Sequence, residues 1–185
     1  EKKTGLKLTS LNGLGKVKRP NKIEIIFIDN TSLTTVSPGA FARFKNLKYL
    51  FITRSKLKEL PPDLCNGLHQ LIQVDLSKND ITELPSTLLY GAPKLQIFKA
   101  EFNLLETIPP GFFSGKNNLR FISFAYNDLS LIPVDVFREL DQLEMLLLFN
   151  NKIPLCSGDF KKEYGLNQPN LNLIYGDQWG YSRSL

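Results

Sequence analysis

Residues 119–142 read LRFISFAYNDLSLIPVDVFRELDQ, and the apolar side chains in this stretch stand at fixed places: Leu119, Ile122, Phe124, Leu129, Ile132 and Phe137, with Asn127 set among them. The pattern is L-x-x-L-x-L-x-x-N-x-L, then x-x-L-P-x-x-x-F. It starts again 24 residues earlier at Leu95, again at Leu71, Leu47 and Ile23, and once more downstream at Leu143. A fixed period of this length sets the whole fold, because each repeat becomes one structural unit that is buried only against its neighbours. An amphipathic helix would instead repeat every 3.6 residues.

Numbering each repeat from its first residue makes the columns explicit. Position four holds Ile26, Leu50, Val74, Phe98 and Ile122, and position six holds Ile28, Ile52, Leu76, Ala100 and Phe124. Alternate residues of a strand share a face, so these two columns point inward together. Position nine is Thr31, Ser55, Asn79, Asn103 and Asn127. A column of Asn there bonds backbone groups of adjacent turns that would otherwise be buried unpaired. Thr31 and Ser55 offer one hydroxyl each, so the first two coils are expected to be less rigid. Pro61, Pro85, Pro109 and Pro133 follow position fourteen and stop a continued strand or a long helix. The outer side is therefore expected to be short helical turns and irregular chain, with position nineteen (Phe41, Cys65, Leu89, Phe113, Phe137) plugging inward.

This pattern resembles the leucine-rich repeat family over roughly residues 23–153. The resemblance implies an α/β solenoid, a horseshoe with a parallel concave β-sheet. The 24-residue form with the Pro-x-x-x-Phe tail is similar to the "typical" subclass of receptor ectodomains and of bacterial surface or effector proteins. Cysteine-rich flanking caps and the plant-type S-G-x-I-P variant do not occur. The resemblance implies a secreted or cell-surface protein, or an exported bacterial effector. The expected organisation is one domain over 1–185: a cap or degenerate repeat at 1–22, six repeats over 23–153, and a C-terminal cap over 154–185 in which Asn170–Tyr175 adds a last strand and Trp179 covers the open end.

The net charge of +5 divides unevenly. Residues 1–22 hold seven Lys and Arg against one Glu, and the remaining 16 basic and 17 acidic residues leave the rest at −1. The basic segment reads as a solvated tail. A nucleic-acid binder needs a basic stripe on its folded surface, so no nucleic-acid partner is expected. No apolar run reaches the roughly 18 residues of a membrane span, so no insertion is expected. Cys65 sits in a core column. Cys156 lies four strand steps away, on the order of 19 Å, too far for a disulfide.

The chain carries no H-E-x-x-H, C-x-x-C or Walker motif, and its one histidine, His69, lacks a partner placed by the period. Gly13 and Gly15 are discounted as a phosphate loop because no strand is expected before them. Asn30-Thr31-Ser32 reads as a chance glycosylation tripeptide. No enzyme activity and no cofactor are expected.

Positions two, three, five, seven and eight are read as strand residues that the core does not use. Column three runs Ile25, Tyr49, Gln73, Ile97, Phe121, Met145, column five Phe27, Phe51, Asp75, Lys99, Ser123, Leu147, and column eight Asn30, Arg54, Lys78, Phe102, Tyr126, Asn150. A face that met only water would be polar, whereas aromatic residues, Met and Arg are enriched at interface cores. The expected function is a recognition module that binds a protein ligand on the concave face through Phe27, Tyr49, Phe51, Arg54, Phe102, Phe121, Tyr126, Met145 and Phe149. In the last full repeat, Ser123 and Ala125 are expected to join Phe121 and Tyr126. The alternatives are ring-on-ring packing that merely stabilises the sheet, and a structural or adhesive spacer within a longer surface protein. The sheet's flat footprint is on the order of 500 Å², below the about 800 Å² per partner of a stable complex, so a rim or cap is expected to contribute.

Overall fold

The inward columns four and six alternate with outward residues, and that alternation folds as strands. The structure, a computed structural model, describes residues 5–154 and 159–175. The strands are β1 (Gly5–Leu8), β2 (Ile25–Asp29), β3 (Tyr49–Thr53), β4 (Gln73–Asp75), β5 (Ile97–Lys99), β6 (Phe121–Ser123), β7 (Met145–Leu147) and β8 (Asn172–Ile174). They form one parallel sheet in sequence order. Register follows the period: Leu50 lies opposite Ile26 and Val74, and Phe98 opposite Val74 and Ile122. The result is the expected parallel solenoid.

The columns make one continuous core. Ile26, Leu50, Val74, Phe98 and Ile122 are all fully buried, as are Ile28, Ile52, Leu76, Ala100 and Phe124. Each such side chain contributes roughly 1.5–3 kcal/mol relative to exposure. Position nineteen plugs inward as expected, with Phe41, Cys65, Leu89, Phe113 and Phe137 all nearly inaccessible. After each proline the chain enters a run of short i→i+3 turns, the first closed where Leu64, Leu88, Phe112 and Val136 donate their N–H to the carbonyls of Pro61, Pro85, Pro109 and Pro133. Among the described residues the one α-helix is α1 (Phe160–Glu163), outside the repeats.

The asparagine column works by reaching two coils at once. Asn127 donates Nδ2 to Ala100 O (2.8 Å) in the coil before and to Phe124 O (2.9 Å) in its own. Its Oδ1 accepts the Leu105 N–H at 3.1 Å. Asn79, Asn103 and Asn151 repeat the arrangement. Thr31 and Ser55 instead bond each other at 2.8 Å, and Leu33 beside them is only half-buried whereas Leu57 to Leu129 in its column are sealed.

Residues 5–22, expected as a cap or degenerate repeat, are not the solvated tail that their charge suggests. Leu6 and Leu8 take the places of positions four and six, pairing with Ile26 and Ile28, so β1 is a strand of a full coil only 20 residues before β2. Two 3-10 turns, Leu11–Lys16 and Pro20–Lys22, carry the chain back, and Arg43 ties them down by donating to Gly15 O (2.8 Å) and Val17 O (3.3 Å). A strand does precede Gly13 and Gly15, contrary to expectation, but both glycines sit inside a short 3-10 turn and form no loop around an anion.

At the other end β8 pairs with β7, the expected last strand. Phe160, Tyr164, Leu166 and Leu171 are buried there, and the Phe160 and Tyr175 rings stack at 4.6 Å. Cys156, Trp179 and Tyr181 lie outside the described residues, and with them the expectations about a Cys65–Cys156 distance and a Trp cover. One core slot breaks the pattern. Position twenty-two holds Phe44, Leu68, Ala92 and Leu140, all fully buried, and also Lys116, which is 7% exposed. Burial lowers the Lys116 pKa, and its Nζ reaches only Ser114 O, at 3.4 Å.

Candidate partner-binding face

The strands end before position eight, so the sequence reading of that position as strand is corrected. All six residues there are left-handed: Asn30, Arg54, Lys78, Phe102, Tyr126 and Asn150 have φ between 48° and 60°. The turn is needed so that position nine can point inward. For L-residues with a Cβ this conformation costs roughly 1–2 kcal/mol, and Asn tolerates it best. The coil imposes the conformation on every repeat, yet it asks for no aromatic ring. Phe102 and Tyr126 are therefore not explained by their backbone.

Those two rings lie parallel, 4.2 Å apart at 9°, and remain 41% and 37% exposed. Lys78 Nζ stands 5.3 Å from the centre of the Phe102 ring, and Phe149 meets Tyr126 edge-on at 5.3 Å. Four consecutive repeats thus contribute Lys78, Phe102, Tyr126 and Phe149 to one ridge. A second stack joins Phe27 and Phe51 on β2 and β3 at 4.6 Å and 7°. Such pairs add about 0.5–1.5 kcal/mol beyond area burial, so the rings do stabilise the sheet. In each pair one face of each ring is covered by the other ring. Lys99 Nζ sits 5.0 Å from the Phe121 ring, while Tyr49, Phe121 and Met145 are half-buried along column three.

Three residues expected on this face are not accessible. Phe149 is 5% exposed, so it supports Tyr126 from beneath rather than offering a contact. Ser123 and Ala125 are buried at 0% and 1%. Ser123 is a small residue flanked in register by Lys99 and Leu147 on the adjacent strands, and it sinks below them. Among the described residues the Ser123 hydroxyl has no hydrogen-bond partner.

Between the two stacks lies a groove of about 440 Å³ over β1 to β5, with Phe27 and Phe51 at one end and Lys78, Lys99 and Glu101 at the other. Its wall contains a fixed charge pair. Asp29 accepts from Thr53 Oγ1 (2.6 Å) and Arg54 Nε (2.9 Å), and Arg54 Nη2 completes a fork on the same carboxylate. The Arg54 bond, then the Thr53 bond, hold the Asp29 carboxyl below the usual carboxylate range. Arg54 is thus oriented before any partner arrives. Asp75 is set by the Ser77 N–H at 3.0 Å. A smaller hollow of about 340 Å³ opens at the start of β5 to β7, with Phe121 and Met145 on its floor and the Arg120–Glu144 pair at its side.

The sequence reading missed Lys7. It lies opposite Phe27 in register, which places it in column five and in the groove. The Leu6–Lys7–Leu8 alternation was the available signal. Among the described residues no three His, Cys, Asp or Glu side chains gather as a metal set, and no helix is long and apolar enough to cross a membrane. His69 is exposed.

Comparison with known proteins agrees with this geometry. A family model described as leucine rich repeat matches residues 21–81, 45–105 and 93–153. No curated protein matches the chain.

Proposed function

Because the chain belongs to the leucine-rich repeat family, whose repeats commonly serve as protein-interaction modules, we propose that it is a non-enzymatic recognition module binding a protein partner on its concave face. Phe27, Tyr49, Phe51, Arg54, Phe102, Phe121, Tyr126 and Met145 make the contact, and Phe149 backs Tyr126. Residues 1–185 act as one unit in this reading, with 1–22 and 154–185 closing its ends. The observation that carries it is the Phe102–Tyr126 pair: two large rings kept more than a third exposed, at left-handed positions where the coil requires neither. Exposed aromatic rings, with an oriented Arg beside the Phe27–Phe51 stack, are residue types enriched at interface centres.

The test replaces Phe51, Phe121 and Tyr126 by Ser together, and measures binders selected from a displayed random-peptide library on the wild-type chain. Loss of a buried anchor costs at least about 2 kcal/mol, or roughly thirtyfold in affinity. An unchanged affinity in a variant with an intact circular dichroism spectrum sinks the proposal. The stacking of Phe27 on Phe51 favours a second reading, a spacer whose rings only brace the sheet. In that case the triple variant loses stability while every selected peptide binds as before.

A further inference from the structure

Charge is segregated along the solenoid. Residues 5–58 carry eleven Lys and Arg side chains against two carboxylates, whereas residues 59–154 carry seven against twelve. The near-neutral total of the repeats averages over this division. The two early carboxylates are already taken, Glu24 by Lys48 and Asp29 by Arg54. Later coils pair three of their seven cations, Arg120 with Glu144, Arg138 with Asp135 and Lys152 with Asp128, and have carboxylates in excess. On the first coil Lys16, Lys18, Arg19 and Lys22 are exposed, and no ion pair involves them among the described residues. Lys45, Lys56 and Lys58 continue the surface onto the next two coils in the same condition. These groups are held in place, because β1 pairs with β2 and Arg43 anchors the turns.

We propose that this cationic end is the second half of the interface: it docks an acidic segment of the same protein partner that the concave face takes. The inference rests on the concave-face reading and names the partner's chemistry, with carboxylates over the first coils and apolar side chains over the aromatic groove. Four observations favour it. The sheet's footprint, on the order of 500 Å², falls short of the about 800 Å² that a stable complex uses on each side, so the contact extends past the strands. The groove itself carries Lys7 of β1, so the cations of the first coil reach its lining. Leu6, Leu8, Leu11 and Val17 pack against the core and remain half-buried, so apolar surface is present on the same coil as the cations.

The fourth observation is the layout. Lys7 faces the groove, Lys56 and Lys58 lie on the flank after the asparagine column, and Lys16 to Lys22 lie on the return turns. The charges wrap the coil instead of forming the linear stripe that follows a nucleic-acid backbone. Residues 5–22 contain no aromatic ring on which bases could stack. Their turns are 3-10 pieces, too short for a helix that enters a groove.

The experiment uses the full chain and short random peptides displayed in three pools, each carrying a fixed tract of Glu, Ser or Lys. At low salt the Glu pool is enriched at least about tenfold over the Ser pool, and the advantage shrinks at high salt as screening sets in. Reversing four charges together (K16E, K18E, R19E, K22E) removes the Glu preference, while Ser-pool binders retained by the variant report that it is folded. The F51S/F121S/Y126S variant weakens all pools alike and keeps the Glu preference. If it weakens none, the concave-face reading fails by a separate readout. Equal enrichment of the three pools, or a Glu preference that survives the reversals, overturns the proposal. So does a heparin fragment, a DNA duplex or a phosphatidylserine vesicle that binds at physiological salt more tightly than the Glu-pool peptides and loses binding on the same reversals.

Discussion

Replacing Asn127 by Ala should cost far more than its modest size suggests. The side chain makes three good hydrogen bonds: Nδ2 to Ala100 O at 2.8 Å and to Phe124 O at 2.9 Å, and Oδ1 from Leu105 N at 3.1 Å. The two carbonyls keep other donors, since Asn103 also reaches Ala100 O at 3.2 Å and Asn151 reaches Phe124 O at 2.9 Å. Leu105 N–H keeps none and is buried. The orphaned donor costs about 1–3 kcal/mol and each of the two lost Nδ2 bonds about 1 kcal/mol, so the expected destabilisation is about 3–5 kcal/mol. Thr31→Ala, at the same position two-thirds of the solenoid away, removes hydroxyl bonds that are only part-buried and should cost under about 1 kcal/mol. Urea unfolding followed by circular dichroism measures both, with the slope checked for constancy because repeat arrays can lose cooperativity. Exchange of the Leu105 amide should accelerate selectively. A difference of less than about 1 kcal/mol between the two variants, or an unchanged Leu105 exchange rate, would refute the role given to the ladder. Asn127→Asp adds a sign test. Its carboxylate still accepts from Leu105 but faces two carbonyls, so its folded pKa lies above the unfolded value of about 3.9. Its stability should be highest below that value and fall as pH rises through the folded pKa.

Three further outcomes are expected. Burial pushes the Cys65 thiol up to about 12, so a thiol reagent at neutral pH should label Cys65 only after unfolding; native-state labelling at the rate of a free thiol would count against its place in the core. Lys116→Leu puts an apolar side chain into an apolar column, which should raise stability by about 1 kcal/mol. The lowered folded pKa of Lys116 means that the wild type gains stability as pH rises through the lysine range, a dependence that the Leu variant should lack; a destabilised Leu variant would argue that Lys116 packs for a different reason. The depressed Asp29 pKa contributes stability above the unfolded carboxylate value and loses it as pH falls through the folded one. Arg54→Ala should move the Asp29 titration, followed by NMR, back toward the ordinary range, and no movement would contradict the fork.

The period by itself determined which residues form the core. Columns four, six, eleven and nineteen are buried, Leu33 in the first repeat apart, because every coil must present the same apolar places to its neighbours, and Cys65 could be assigned to a phenylalanine slot on that ground alone. The inward asparagines and the short turns after each proline follow from the same repetition, since both satisfy or forbid backbone bonds locally. The first coil escaped because it is 20 residues long and has no partner at the same spacing, although Leu6 and Leu8 carry the right alternation. The candidate face was legible only as a set of columns. Its left-handed turns are a backbone property that Phe102 and Tyr126 do not advertise. Which of its side chains are reachable depends on rings arriving from strands 24 residues away: Phe149 passes under Tyr126, and Ser123 and Ala125 sink between larger neighbours. Core positions are set by what each coil needs from the next, and a single repeat states that need. Exposure on a shared concave surface is a many-body outcome of curvature and neighbour size, which only the assembled sheet decides.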